Sequence, residues 1–166
     1  MRRLFVTLLL LGAPALAPAS DSVTGLRPGE AAPAAATGRV VKVLPLFLDL
    51  KGRDAVSPSL YDRDAYQVYL RQHTNEISSI RFDVLWKAAH ATDAKLKLRV
   101  QLRGAGSDSL PCEMALEQPV TAGFFRRWTA LTLAGTDYNH FGKLVAWRVT
   151  LWSDDRLLDE QKSFLW

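Results

Sequence analysis

Two-residue alternation of apolar and polar side chains dominates the chain from Val40 onward, and it predicts strands rather than helices. The clearest stretch is Lys95 to Arg103, where Leu96, Leu98, Val100 and Leu102 point one way and Lys95, Lys97, Arg99, Gln101 and Arg103 the other. Ile80, Phe82, Val84 and Trp86 alternate in the same manner, and the turn-like segment His90 to Ala94 predicts a hairpin between these two strands. Near the end, Val145, Trp147, Val149 and Leu151 alternate with Ala146, Arg148, Thr150 and Trp152. Ser153-Asp154-Asp155 then turns the chain into a last strand, Arg156 to Trp166, for a second hairpin. Val40 to Leu50, Cys112 to Gln118 and Trp128 to Ala134 complete a set of seven strands, with Pro45 marking an edge or a bulge in the first.

Two segments carry helical signals. Ser59 before Leu60-Tyr61-Asp62 has the spacing of a capping box, and Tyr61, Ala65, Val68 and Tyr69 fall on one face of a helix over Ser59 to Gln72. Thr136 to Phe141, between Gly135 and Gly142, predicts one helical turn packed by Tyr138 and Phe141. Seven short strands with two helical excursions predict a mainly β fold, a single immunoglobulin-like antiparallel β-sandwich with one crossover helix and one helical turn. The helical turn falls where such sandwiches cross from one sheet to the other.

The first residues follow a different rule. Met1, Arg2 and Arg3 precede the apolar run Leu4 to Leu11 and a region of small residues and prolines, the three parts of a secretory signal peptide over residues 1–19, with cleavage expected after Ala19. The apolar run is too short to span a bilayer as a helix. Residues 20–38 are rich in Ala, Pro, Gly, Ser and Thr and read as a flexible linker. The folded domain is expected over residues 39–166, long enough for one packed core. A secreted or periplasmic destination follows.

Charge and composition then narrow the classes. Without Arg2 and Arg3 the 21 Lys and Arg become 19 against 17 Asp and Glu, so the processed chain is nearly neutral. It has no basic cluster interleaved with aromatics, and nucleic acid is not an expected partner. One cysteine, Cys112, cannot form an intramolecular disulfide or a thiolate metal cage, and it reads as a small buried hydrophobe. His73, His90 and His140 have no metal-ligand neighbours at helix or strand spacing. The serines of Ser57-Pro58-Ser59 and Ser107-Asp108-Ser109 lack a nucleophile elbow. No cofactor, metal or catalytic residue is expected. Asp49, Asp54, Asp62 and Asp64 cluster with Arg53 and Arg63, a set read as helix capping and ion pairs rather than as a carboxylate site.

Binding is the remaining chemistry. Lys95, Lys97 and Arg99, continued by Arg103, form a cationic ladder with the spacing of an anionic glycan or headgroup array. Opposite it, Glu113 or Glu117 would turn the same face into ion pairs. Trp86 and Trp147 are phased with the dry faces, whereas Trp152 opposes the inward series and Trp166 ends the chain, so both are candidates for exposed stacking platforms. Phe124, Phe125, Arg126 and Arg127 place two large apolar residues and two cations in a short loop after Gly123. The expectation is an exported, non-enzymatic interaction module for a protein or envelope component, including an anionic glycan. The alternative is a carbohydrate-binding module using Trp152, Trp166 or Tyr138. A small outer-membrane β-barrel, suggested by Phe164 and Trp166 at the C-terminus, is the least favoured reading.

Overall fold

A computed structural model describes residues 36–89, 94–106 and 110–166. The expected leader, most of the linker, His90 and Ser107-Asp108-Ser109 lie outside the described residues.

The chain is mainly β. Its elements run β1 (Thr37–Asp49), α1 (Leu60–Gln72), a single 3-10 turn (Thr74–Glu76), β2 (Ile77–Ala89), β3 (Leu96–Ala105), β4 (Pro111–Val120), β5 (Gly123–Ala134), α2 (Gly135–Phe141), β6 (Lys143–Ser153) and β7 (Arg156–Lys162). All strand pairs are antiparallel, in a three-stranded sheet ordered β1-β2-β5 and a four-stranded sheet ordered β4-β3-β6-β7. The expected β6–β7 hairpin is present, but the expected β2–β3 hairpin is not, since the two strands belong to different sheets. Both carry strong alternation, and alternation says which side of a strand is dry without saying which strand lies beside it.

The two dry faces meet in one core. Ile80, Phe82, Val84, Trp86, Leu131 and Leu133 come from the first sheet, and Leu98, Val100, Leu102, Val149 and Leu151 from the second. Phe82 and Trp147 cross the interface edge to face, with ring centroids 6.3 Å apart. The buried Trp86 indole N–H donates to Thr129 Oγ1 at 2.8 Å, which satisfies the one polar group that such a ring brings inside. At the start of β6 the register slips between Arg103 and Gly104. Leu144 therefore turns to the core and Val145, expected inside, is exposed.

α2 carries the chain from the three-stranded sheet to the four-stranded one, as expected for a crossover. Its Phe141 is fully buried, with the ring seated where Gly104 has no side chain: a Cβ there would lie 2.7 Å from the ring. Gly142 then takes φ +68°, and a Cβ would fall 2.3 Å from the carbonyl oxygen of Ala105, so only glycine ends this helix.

α1 lies against the outside of the edge strand β1. It buries Gln67 and Leu70, not the expected face: Tyr61, Ala65, Val68 and Tyr69 are exposed. Gln67 decides this. Its Oε1 accepts from the Phe47 N–H at 2.8 Å, and its Nε2 donates to the Phe47 carbonyl at 2.9 Å and to that of Asp54 at 2.9 Å. The amide thus mimics a neighbouring strand and occupies part of an open edge. Ser59 is the N-cap as expected, accepting from the Asp62 N–H, but the reciprocal half of the box differs: the Asp62 carboxylate accepts from the Ser57 hydroxyl.

Candidate functional site

The acidic segment is bonded internally. Asp49 is buried and accepts from the backbone N–H groups of Lys51 and Arg53, from Arg53 Nε at 2.9 Å and from the Tyr66 hydroxyl at 2.8 Å. Burial pushes its pKa upward. These donors, led by Arg53, outweigh it and hold the carboxyl well below the usual carboxylate range. Tyr66 is shifted upward by its own burial and by donating to Asp49. Asp54 pairs with Arg81 at 3.4 Å and Asp64 with Arg63 at 3.5 Å. Among the described residues no group of three His, Cys, Asp or Glu is placed to hold a metal ion. His73 stacks on Tyr69, His140 is exposed, and Cys112 is half-buried against the core.

Three cations of the ladder are paired with two carboxylates across from them. Lys97 reaches Glu117 at 3.0 Å, Arg99 reaches the same carboxylate at 3.4 Å, and Arg103 reaches Glu113 at 2.9 Å. Lys95 is exposed just before β3, and its backbone N–H donates to Asp154. Trp152 lies on this outer face as expected, but half-buried, with its indole N–H donating to Thr150 Oγ1 at 2.8 Å. Trp166 is also half-buried. The Arg103 guanidinium carbon sits 4.2 Å from its ring centroid, a cation–π contact that covers one face. The last strand ends at Lys162 rather than running to Trp166. The remaining residues fold back, with the Ser163 N–H donating to the Trp147 carbonyl at 2.9 Å. Neither tryptophan is an open platform.

The segment Phe124 to Arg127 is different. It belongs to β5 rather than to a loop, and it lies at a bulge. Register places Trp86 opposite Arg127 and Ala88 opposite Gly123, so Lys87 alone faces Phe124, Phe125 and Arg126. The extra residues have no place on the dry face. Phe124 is 96% exposed and Phe125 77%, packed edge to face on each other with centroids 5.2 Å apart. The Arg127 guanidinium lies across Gly123, where any Cβ would come within 2.6–2.8 Å of it.

Register also shows what surrounds this protrusion. On the outer face of the three-stranded sheet, Arg39 lies beside Lys87, and the next row is Lys42, Leu85 and Trp128. Trp128 is 53% exposed, a surface position the sequence had not singled out. The signal was available: Leu131 and Leu133 face inward, so Trp128, Ala130 and Thr132 must face out. The following row holds Leu44, Asp83 and Ala130, and Asp83 is held by Arg81 through two hydrogen bonds of 2.9 and 3.1 Å.

A concave feature of about 840 Å³ lies between β1, the α1–β2 connection, α2 and the start of β6. Phe47 and Tyr138 supply aromatic walls, and Arg71, Asn75, Asn139 and Lys143 supply polar groups. Arg71 lies 5.9 Å from the Phe47 ring centroid, and burial pushes the half-buried Tyr138 phenol upward. No helix among the described residues is long and apolar enough to cross a membrane. No known family model, curated protein or solved structure matches this chain.

Proposed function

We propose that this chain is an exported, non-enzymatic binding module, built on an immunoglobulin-like sandwich, that engages an envelope component through the Phe124–Trp128 protrusion. The observation that carries this reading is the exposure of Phe124 and Phe125 on a strand bulge beside Arg126 and Arg127. Two adjacent phenyl rings in water forfeit the burial that the rest of the chain secures, and a contiguous exposed apolar patch marks a contact surface. The strand order supports the immunoglobulin-like assignment: first, second and fifth strands share one sheet, and third, sixth and seventh the other. The fourth strand is carried by the second sheet instead of the first. Two separate sheets around an apolar interior do not favour a spanning barrel, which needs a closed ring.

Retention of the protein on isolated cell envelopes tests the reading. The wild type is expected to sediment with them, and Phe124→Ala/Phe125→Ala to be released by at least fivefold, since two exposed anchors contribute on the order of 1–2 kcal/mol each. Equal retention of both would overturn it.

The Tyr138 groove favours a second reading, carbohydrate binding. A sugar ring stacked on Tyr138 would have the Asn75 and Asn139 amides for its hydroxyls, and Trp152 and Trp166 take no part. Affinity electrophoresis in gels containing polysaccharide checks this. A retardation removed by Tyr138→Ala and kept in Trp152→Ala is the expected pattern, and no retardation in neutral or acidic polysaccharides would dismiss the groove.

A further inference from the structure

We infer that the envelope component recognised by the protrusion is an anionic lipid bilayer surface. The inference rests on the binding reading above and names its target. Arg39, Lys42, Lys87, Arg126 and Arg127 share this end of the three-stranded sheet, and among the described residues none has an ion-pair partner. The contrast lies within the molecule. On the outer face of the four-stranded sheet Lys97 and Arg99 share Glu117, Arg103 pairs with Glu113 and Arg148 with Glu160. Among the described residues the outer-face rows at this end carry one acid, Asp83, which is held by Arg81, while Asp159 is bonded to the Val40 N–H and Asp154 and Asp155 line the hollow beside Thr121 and Ala122.

Geometry separates a bilayer from a protein partner. Protein interfaces place apolar anchors in pockets and surround them with a rim of mixed polarity. Here the apolar group stands out from the surface, and the cations beside it have no ion-pair partner among the described residues. A ring pair leading, a half-exposed tryptophan behind it and cations around them match the layers of a lipid interface. Aromatic rings sit at headgroup depth, and Lys and Arg meet the phosphates. β1 begins at the same end, since Thr37 pairs with Ala89 and Gly123 with Ala88, so the chain enters the domain beside the surface that would touch lipid.

The test uses the full chain with Cys112→Ser and a single environment-sensitive fluorophore (NBD) on cysteine, placed at Phe125→Cys or, as a control, at Thr132→Cys on the far part of the same outer face. Vesicles of phosphatidylcholine, with and without roughly 30 mol% phosphatidylglycerol, are the probe. Emission at position 125 is expected to rise and shift to the blue with anionic vesicles only, while position 132 stays unchanged. Arg126→Gln/Arg127→Gln is expected to weaken the response roughly tenfold, and added salt to weaken it further. No change at position 125, an equal response to neutral vesicles, or an equal response at both positions overturns the bilayer assignment. If envelopes still retain the wild type and release Phe124→Ala/Phe125→Ala, the binding reading survives with a protein as partner. If they do not, both fall together.

Discussion

Truncating Phe141 to Ala is expected to lower the free energy of unfolding by about 3–5 kcal/mol, measured by urea denaturation. The ring is fully buried at the point where α2 passes the chain between sheets, and it fills the space left by the missing side chain of Gly104. Removing it leaves a cavity that two hydrogen-bonded sheets cannot close by collapsing. Gly104→Ala should also destabilise the wild type, because the new methyl would lie 2.7–2.9 Å from ring carbons. In a Phe141→Ala background the ring contacts are gone and the one with the Lys143 carbonyl oxygen at 2.9 Å remains, so the two costs should be less than additive by on the order of 1 kcal/mol. Strict additivity would show that Phe141 does not rest on Gly104.

Asp49→Asn is expected to cost roughly 2–4 kcal/mol at pH 7. An asparagine keeps one acceptor but turns an amide N–H₂ toward Arg53 or Tyr66, which are themselves donors. The pH dependence follows from the direction of the shift. The native carboxyl ionises well below its unfolded value of about 4, so its contribution is fully present above that pH and fades as pH falls below it. The gap between wild type and Asp49→Asn should therefore narrow between about pH 4 and pH 2. A gap that stays constant over that range would mean that the charge on Asp49 contributes nothing to stability.

These two sites differ in how visible they were beforehand. Phe141 was legible: a glycine-bounded helical turn with a large apolar residue at its end had few places to go. The role of Gly104 was not, because a strand glycine announces a close approach without naming the neighbour. Asp49 was visible as part of an acidic cluster, and its fourfold acceptor role depends on a loop that folds back on itself and on Tyr66 arriving from α1. Gln67 shows the limit most sharply. The apolar periodicity of α1 indicated the wrong face, because two backbone groups of an open β1 edge are better satisfied by an amide than by a tyrosine or valine.

The binding residues divide along the same line. Phe124 to Arg127 could be singled out by composition, since two phenylalanines and two arginines in a row satisfy no strand pattern. That they protrude is a consequence of register, which sets three residues of β5 against one of β2. The ladder of Lys97, Arg99 and Arg103 was equally visible, and only strand pairing showed that Glu113 and Glu117 pair with it.

Sequence alone determined the number of strands and their approximate places, the two helices and the dry side of β2, β3 and most of β6, because these depend on local periodicity and on backbone preferences of single residues. Tertiary structure decided which strands are neighbours, which cations find carboxylates and which aromatics remain in water. Those outcomes depend on contacts between residues far apart in the chain, and alternation is blind to them because any two strands with the same pattern can pair equally well.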